Sequence, residues 1–507
     1  MSEQYVLVID EGTTGTRAVI VDRASRIKGQ AYREFTQYNP APDRVEHDPE
    51  EIWQASLAVI DGALQESGLT LRDIAAIGIS NQRATTVVWN RTTGEPVTPA
   101  IVWQDTRTAD YIESIRDDWA EKAYARTGWA LAPVYSSLSL RWILEHVPGA
   151  QTRADSGELA FGTIDSWLIH RLTGGRTHAI AASNASVTGS YDLLADDWYE
   201  DWLSFLGIPL SLFPEVRDDS GDFGATDPDV LGASIPITGA IADQHAALFA
   251  QGCVEPGSVK CTHGTGTFLD MNIGSEVTIS GHGLNTLIAW RRGGLTTYGL
   301  EGYAAVTGSA VQWLRDGAGL IADSAETGEL AMSVPDNGGV YFVPALTGLS
   351  APYWDSYARG MIIGITRGTT RAHLARATLE GIVFAIKDFL ETMREDSGVP
   401  ITSIKVDGGA ARNDFLLQFQ ADMLDAEVVR PRNAEATSLG AAYMAGLATG
   451  YWPSLEACLE GQGVERVFLP HMDHELRDQL YADWTEAVHR CMGWASERRS
   501  DATVRAA

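Results

Sequence analysis

The sequence predicts an α/β fold built from two structurally related halves, and three observations carry that prediction. Strand-like and helix-like patterns alternate along most of the chain, which is the signature of sheets covered by helices. A β-branched hairpin with a Gly/Thr tip opens the chain, and a second hairpin of the same kind follows 252 positions later, comparing Thr13 with Thr265. Finally, 507 residues exceed what one ordinary core organises, so two domains are expected, residues 1–252 and 253–507.

The first hairpin is read from VLVID, then EGTTGTR, then AVIVD, where two β-branched runs flank small residues suited to a tight turn. Asp48 is placed to cap a helix with Pro49 at its first position and Glu50 and Glu51 in its first turn. The apolar run around Ile77 reads as a buried strand. The second hairpin is SVKCTHGTGTFLDMNIG, with strands over 259–261 and 268–272. Pro256 and Gly257 interrupt an apolar segment just past Gly252, which sets the domain boundary there. A helical pattern from Thr370 to Glu395 leads to strand Ile404–Asp407, a Gly408-Gly409 turn and a helix beginning near Asn413. Residues 496–507 have no apolar period and are expected to form a loose tail.

With 45% apolar and 21% charged residues, the composition is that of an ordinary globular protein. The formal charge of −29 repels nucleic acid and anionic membranes, so the expected partner is a small molecule. The four cysteines lack metal-ligand spacing and suit a reducing cytoplasm. No stretch reaches 18 apolar residues and the N-terminus lacks a signal pattern, so a soluble, untargeted protein is expected.

Phosphoryl transfer asks a protein for donors around phosphate, carboxylates for magnesium and a group that orients the attacking hydroxyl. At the first tip, Thr13, Thr14 and Gly15 leave backbone N–H groups accessible, Arg17 supplies positive charge, and Asp10 is a candidate metal ligand. The same string also suits a plain hairpin turn. Likewise Asp243 is suited to capping the helix that runs into AALFA, and Trp103 and Phe268 to core packing. His47, His245 and His263 are read as surface or satisfied core groups.

Longer strings then decide between these alternatives. DEGTTGTRAVIVD, VEHDPEEIW, AAIGISNQR, FGTIDSWLI, ADQHAALFAQ, THGTGTF, GSAVQWLRD, VPALTGLSAPYWD, VDGGAARNDF and SLGAAYMAG stand in one order along nearly the whole chain. In these the chain resembles the FGGY carbohydrate kinase family, and its glycerol kinases most of all. The resemblance implies two actin-like (ribonuclease-H-like) domains with ATP and Mg2+ in the cleft between them, a small polyol as acceptor, and a homo-oligomer, dimer or tetramer. It implies metal ligation by Asp10 and Asp243, and phosphate contacts from Thr13, Thr14, Arg17 and Thr265. Gly308, Gln312, Gly409 and Asn413 match nucleotide positions; Arg83, Trp103, Asp243, Gln244 and Phe268 match the polyol pocket, with Asp243 as the general base.

The chain also departs from that pattern. Ala84 stands where a pocket glutamate is usual, and Val134 stands where a tyrosine is, with Tyr135 one place later. Glu11 and Gly15 replace a glutamine and a serine, which predicts an added charge and a lost hydroxyl at the phosphate loop, and Ser139 replaces a lysine. The loss of side-chain volume at Ala84 and Val134 predicts a preference for a four-carbon polyol such as erythritol or threitol, with glycerol as the alternative acceptor. A different sugar kinase of the family and a non-enzymatic actin-like nucleotide-binding protein are the remaining alternatives.

Overall fold

A computed structural model describes residues 4–432, 435–461 and 463–495; the tail expected over 496–507 lies outside the described residues. The opening hairpin forms as expected from strands β1 (Tyr5–Glu11) and β2 (Gly15–Val21), followed by β3 (Ile27–Glu34). Helix α1 (Pro49–Ser67) starts at the Asp48 cap, whose carboxylate accepts from the Glu50 N–H at 2.9 Å, and ends at Gly68 with φ 71°. It buries Ile52, Val59, Ile60 and Ala63 against β2 and β3. Strands β4 (Ile74–Asn81) and β5 (Ile237–Ala242) complete a sheet of order β5-β4-β1-β2-β3, parallel across β5, β4 and β1 and antiparallel across β1, β2 and β3.

The second half repeats this plan. Strands β6 (Ser258–His263) and β7 (Thr267–Gly274) form its hairpin, β8 (Asn285–Arg292) and β9 (Leu295–Ala304) extend it, and β10 (Ser403–Asp407), β11 (Glu427–Pro431) and β12 (Val464–Phe468) lie on the other side. The order is β8-β9-β7-β6-β10-β11-β12, with β10 parallel to β6 and β11 parallel to β10. Removing the outer β8 and β12 leaves the five-strand arrangement of the first sheet. The shared topology supplies the evidence of internal repetition that the weak identity between the halves lacks.

Helices α2 (Asp243–Ala250), α3 (Gly308–Gln312), α4 (Arg371–Ser397), α5 (Asp414–Leu424) and α6 (Ala436–Ala448) follow in chain order. Helix α6 comes from the second half of the chain yet packs on β1, β4 and β5 of the first sheet. Glycine permits that approach: a Cβ on Gly78 would lie 2.3 Å from the Ala441 carbonyl oxygen, and one on Gly440 would lie 2.0 Å from that of Ala246 in α2. Helix α2, from the first half, meets β6, β7 and β8 of the second sheet. The two halves thus exchange one helix each across the cleft, and both hairpin tips stand beside it.

Candidate active site

At the first tip the Gly12 N–H donates to the Gly15 carbonyl at 3.0 Å, closing the turn and leaving Thr13 and Thr14 outward. The Trp103 indole N–H donates to the Thr13 hydroxyl at 3.1 Å, so Trp103, 40% exposed, stands over the tip and outside the core. Asp10 ends β1 with its carboxylate accepting from the Ser438 hydroxyl of α6 at 2.6 Å. Burial, reinforced by the neighbouring Asp243 charge, raises Asp10 to about 6 despite that hydrogen bond. Arg17 pairs with Glu435 at the start of α6.

Two expected consequences of the loop departures are corrected here. Glu11 is fully buried, its carboxyl accepts from the Gln82 amide at 3.2 Å on both oxygens, and burial pushes it well above the usual carboxylate range. The position therefore holds a neutral carboxyl, close in shape to glutamine, in place of an added charge. Gly15 does not leave a gap either: a Cβ there would fall 2.6 Å from the Tyr32 phenol oxygen, which lies 3.5 Å from the Thr14 hydroxyl.

The acceptor-pocket candidates converge. Asp243 is the first residue of α2 rather than its cap, a place taken by Ala242, and its carboxylate accepts from the Gln244 N–H at 2.7 Å. Arg83 brings its Nε to 3.6 Å from Asp243 and its Nη1 to 2.6 Å from Glu301 on β9. Burial raises Asp243 and Arg83 lowers it, the net shift being upward. Gln244 accepts from Lys260 at 2.6 Å, and Phe268 packs against Tyr303, ring centroids 4.5 Å apart. Ala84 is buried in a left-handed turn, φ 61°, with its carbonyl accepting from the Ser136 hydroxyl at 2.8 Å, so the segment carrying Val134 abuts Arg83 and Ala84. Tyr135 is corrected: it is fully buried, its hydroxyl donates to the Trp129 carbonyl and bonds Thr127 at 3.0 Å, and its ring fills the space over Gly189. It belongs to the core and does not restore the tyrosine absent at Val134.

The second tip is tied to α3. The Thr265 carbonyl accepts from the N–H groups of Thr307 and Ser309, at 3.0 and 3.1 Å, and the Gly264 carbonyl from Gly308 at 3.1 Å. Behind it opens a cavity of about 560 Å³, floored by Val311, Leu379, Ile382 and Phe415 and edged by Gly308, Gly409 and Asn413. Its size and apolar floor with a few polar edges suit a nucleoside. Gly408 holds φ 87°, and a Cβ there would meet the His263 carbonyl oxygen at 2.4 Å. Asn413 caps α5 and donates to Thr327 at 3.3 Å. Gln312 does not line this cavity; it is exposed on α3, with its side chain toward Asp316.

Glu301, Lys260 and Asp270 are the site residues that motif reading missed. Period-2 alternation on β6, β7 and β9 was the available signal, since Asp270 shares a face with Phe268 and Glu301 shares one with Tyr303. His47 and His263 are hydrogen-bonded core groups, to Gln37 and to Thr267 and Gln420. His245 departs from that expectation: it is fully buried, and neither ring nitrogen has a partner among the described residues. All four cysteines are buried thiols. Among the described residues no helix is long and apolar enough to cross a membrane, and no cluster of three or more His, Cys, Asp or Glu could hold a metal.

Models of the FGGY family of carbohydrate kinases match residues 5–250 with the N-terminal domain and 259–449 with the C-terminal domain. The chain is 50% identical over 498 residues to a glycerol kinase of Symbiobacterium thermophilum, covering 98% of this chain and 100% of that one. It is 49% identical over 495 residues to glycerol kinase 2 of Sulfolobus acidocaldarius, covering 98% and 99%. The crystal structure of Plasmodium falciparum glycerol kinase with ADP matches with a TM-score of 0.92 at 32% identity, covering 96% and 98%. With two matched domain models, an actin-like two-domain architecture and half of all positions shared with such relatives, this chain belongs to the FGGY family of carbohydrate kinases and is a phosphotransferase with an alcohol group as acceptor.

Proposed function

We propose that the chain transfers the γ-phosphoryl group of ATP to a terminal hydroxyl of a small neutral polyol, with glycerol as the acceptor its relatives favour. The observation that carries this is the meeting of Asp243, Arg83, Trp103 and Asp10 at the cleft, with the nucleoside-sized cavity behind the second tip. Arg83 and Gln244 donate to acceptor oxygens, and Trp103 and Phe268 offer faces to its C–H groups. Asp243, acceptor-only when ionised, takes the hydroxyl proton as that oxygen bonds to the γ-phosphorus and the bond to ADP breaks. The N–H groups and hydroxyls of Thr13, Thr14 and Thr265, with Arg17, hold the phosphates. Two carboxylates beside the phosphate path suit Mg2+, which binds through one or two carboxylates and substrate phosphates; Asp10 and Asp243 would hold it, and bound there it neutralises phosphate charge. Their mutual repulsion, recorded in the raised Asp10, is what a cation relieves. Asp243, Asp270 and Glu301 outnumber Arg83 and Lys260, so sugar acids are disfavoured as acceptors.

A four-carbon polyol is favoured by a narrower set of features: the short Ala84 and Val134, the burial of Tyr135, and a cavity of about 140 Å³ lined by Asn285, Glu301, Tyr303 and Trp354. A coupled ADP-release assay decides, comparing kcat/KM for glycerol, erythritol, threitol, pentitols and gluconate. Asp243→Asn is expected to lower kcat about 100-fold with ADP affinity unchanged, and retention of more than about a tenth of turnover removes Asp243 as base. A glycerol advantage of about tenfold in the wild type ends the four-carbon preference, whereas a shift toward glycerol in Ala84→Glu supports it.

A further inference from the structure

Beneath the acceptor candidates lies a charge pair that the proposed chemistry does not use. Lys260 on β6 stands opposite Asp270 on β7, and its ammonium donates to the Asp270 carboxylate at 2.8 Å. Both side chains are buried, 1% and 2% exposed. The same ammonium donates to the Gln244 side-chain carbonyl at 2.6 Å. An ammonium has donors only, so the carbonyl end of the Gln244 amide must face Lys260, and the NH2 end then faces away from it. Without Lys260 the amide is able to present either end, since the two are nearly equal in shape. Burying an ammonium costs several kcal/mol unless it is paired and hydrogen-bonded, and here both conditions are met, with Gln244 as the second partner.

We propose that Lys260, anchored by Asp270, is a positioning residue that fixes Gln244 as a hydrogen-bond donor to an acceptor oxygen. The proposal rests on Gln244 belonging to the acceptor pocket and adds the group that sets its orientation. A polyol oxygen meeting this NH2 group keeps its own hydroxyl proton for another acceptor. Arg83 supplies the second donor, and Asp243 is left as the group that takes a proton. The pair therefore divides the pocket into a donor side and a proton-accepting side.

The test is a double-mutant cycle that replaces the charge pair by apolar side chains of similar size, Lys260→Met with Asp270→Leu, in the wild type and in Gln244→Ala. Acceptor KM and kcat come from the coupled assay, ADP affinity from calorimetry and Tm from scanning calorimetry. In the wild-type background the expected result is a rise of about tenfold in acceptor KM, with ADP affinity unchanged; in the Gln244→Ala background no further rise is expected. Additive effects, an unchanged acceptor KM, or a parallel loss of acceptor and ADP binding with a lowered Tm would overturn the proposal, the last marking a purely structural pair. If Gln244→Ala alone leaves acceptor KM unchanged, the proposal also fails, whereas absence of any polyol kinase activity in the wild type would strike the proposed function instead. Should the apolar pair not fold, Lys260→Arg moves the donor while keeping the charge: a raised acceptor KM supports the positioning role, and an unchanged one refutes it.

Discussion

Replacing Glu301 with glutamine isolates the contact between the two halves of the acceptor site. Glu301 and Arg83 are almost fully buried, and the 2.6 Å contact between them is a charge-assisted hydrogen bond shielded from water. Glutamine keeps the shape and removes the charge, exchanging a bond of about 1.5–3 kcal/mol for a neutral one of about 1 kcal/mol. The Arg83 guanidinium is then left with Asp243, now 3.6 Å away, as its anionic neighbour. It closes on that carboxylate, which becomes a weaker base and is drawn from the acceptor. The loss of about 1–2 kcal/mol predicts a fall of roughly 5- to 30-fold in kcat/KM for the acceptor. Nucleotide contacts lie on other elements, so KM for ATP is expected to stay within about twofold. The coupled ADP-release assay, run at saturating ATP and then at saturating acceptor, separates the two. A folded Glu301→Gln protein whose acceptor kcat/KM stays within about threefold of wild type, or whose ATP and acceptor constants worsen together, would refute the assignment of Glu301 to the acceptor side.

Three further outcomes are expected. Gly408→Ala puts a methyl against the His263 carbonyl at a positive φ, so ADP affinity by calorimetry should fall at least about tenfold with Tm lowered; unchanged affinity would separate this turn from the nucleotide cavity. In the pH–rate profile, activity should be present above, and lost as pH falls through, the raised values of Asp10, about 6, and Asp243, because both act as carboxylates; an acid limb only below about pH 4.5 would contradict this. Asp388, buried among Tyr481, Trp484 and Tyr353, is raised to about 6, so the folded state holds its proton more tightly than the unfolded chain and stability should decline as pH rises from about 4 to about 6, by at most about 3 kcal/mol. Asp388→Asn should flatten that part of the Tm curve, and an identical pH dependence in the variant would count against it.

The sequence by itself determined the fold class, the two hairpins, the capped first helix and the family, because these rest on local periodicity, turn chemistry and long ordered motifs. It also brought Asp243, Arg83 and Trp103 into one candidate pocket through resemblance. Tertiary structure decided what each neighbour does. Tyr135 and Val134 are one residue apart, but backbone direction turns the tyrosine into the core, where its hydroxyl is bound by Thr127 and Trp129. Glu11 reads as a charge, but burial beside Gln82 makes it a neutral carboxyl. Gly15 reads as a lost hydroxyl, but Tyr32 from the next strand stands over it. Glu301 and Lys260 were invisible as site residues because their partners, Arg83 and Gln244, lie 218 and 16 positions away and meet them only when the halves close on the exchanged helices. Ionisation and hydrogen-bond direction depend on which groups share a buried volume, and that is set by packing between distant segments, which no local pattern records.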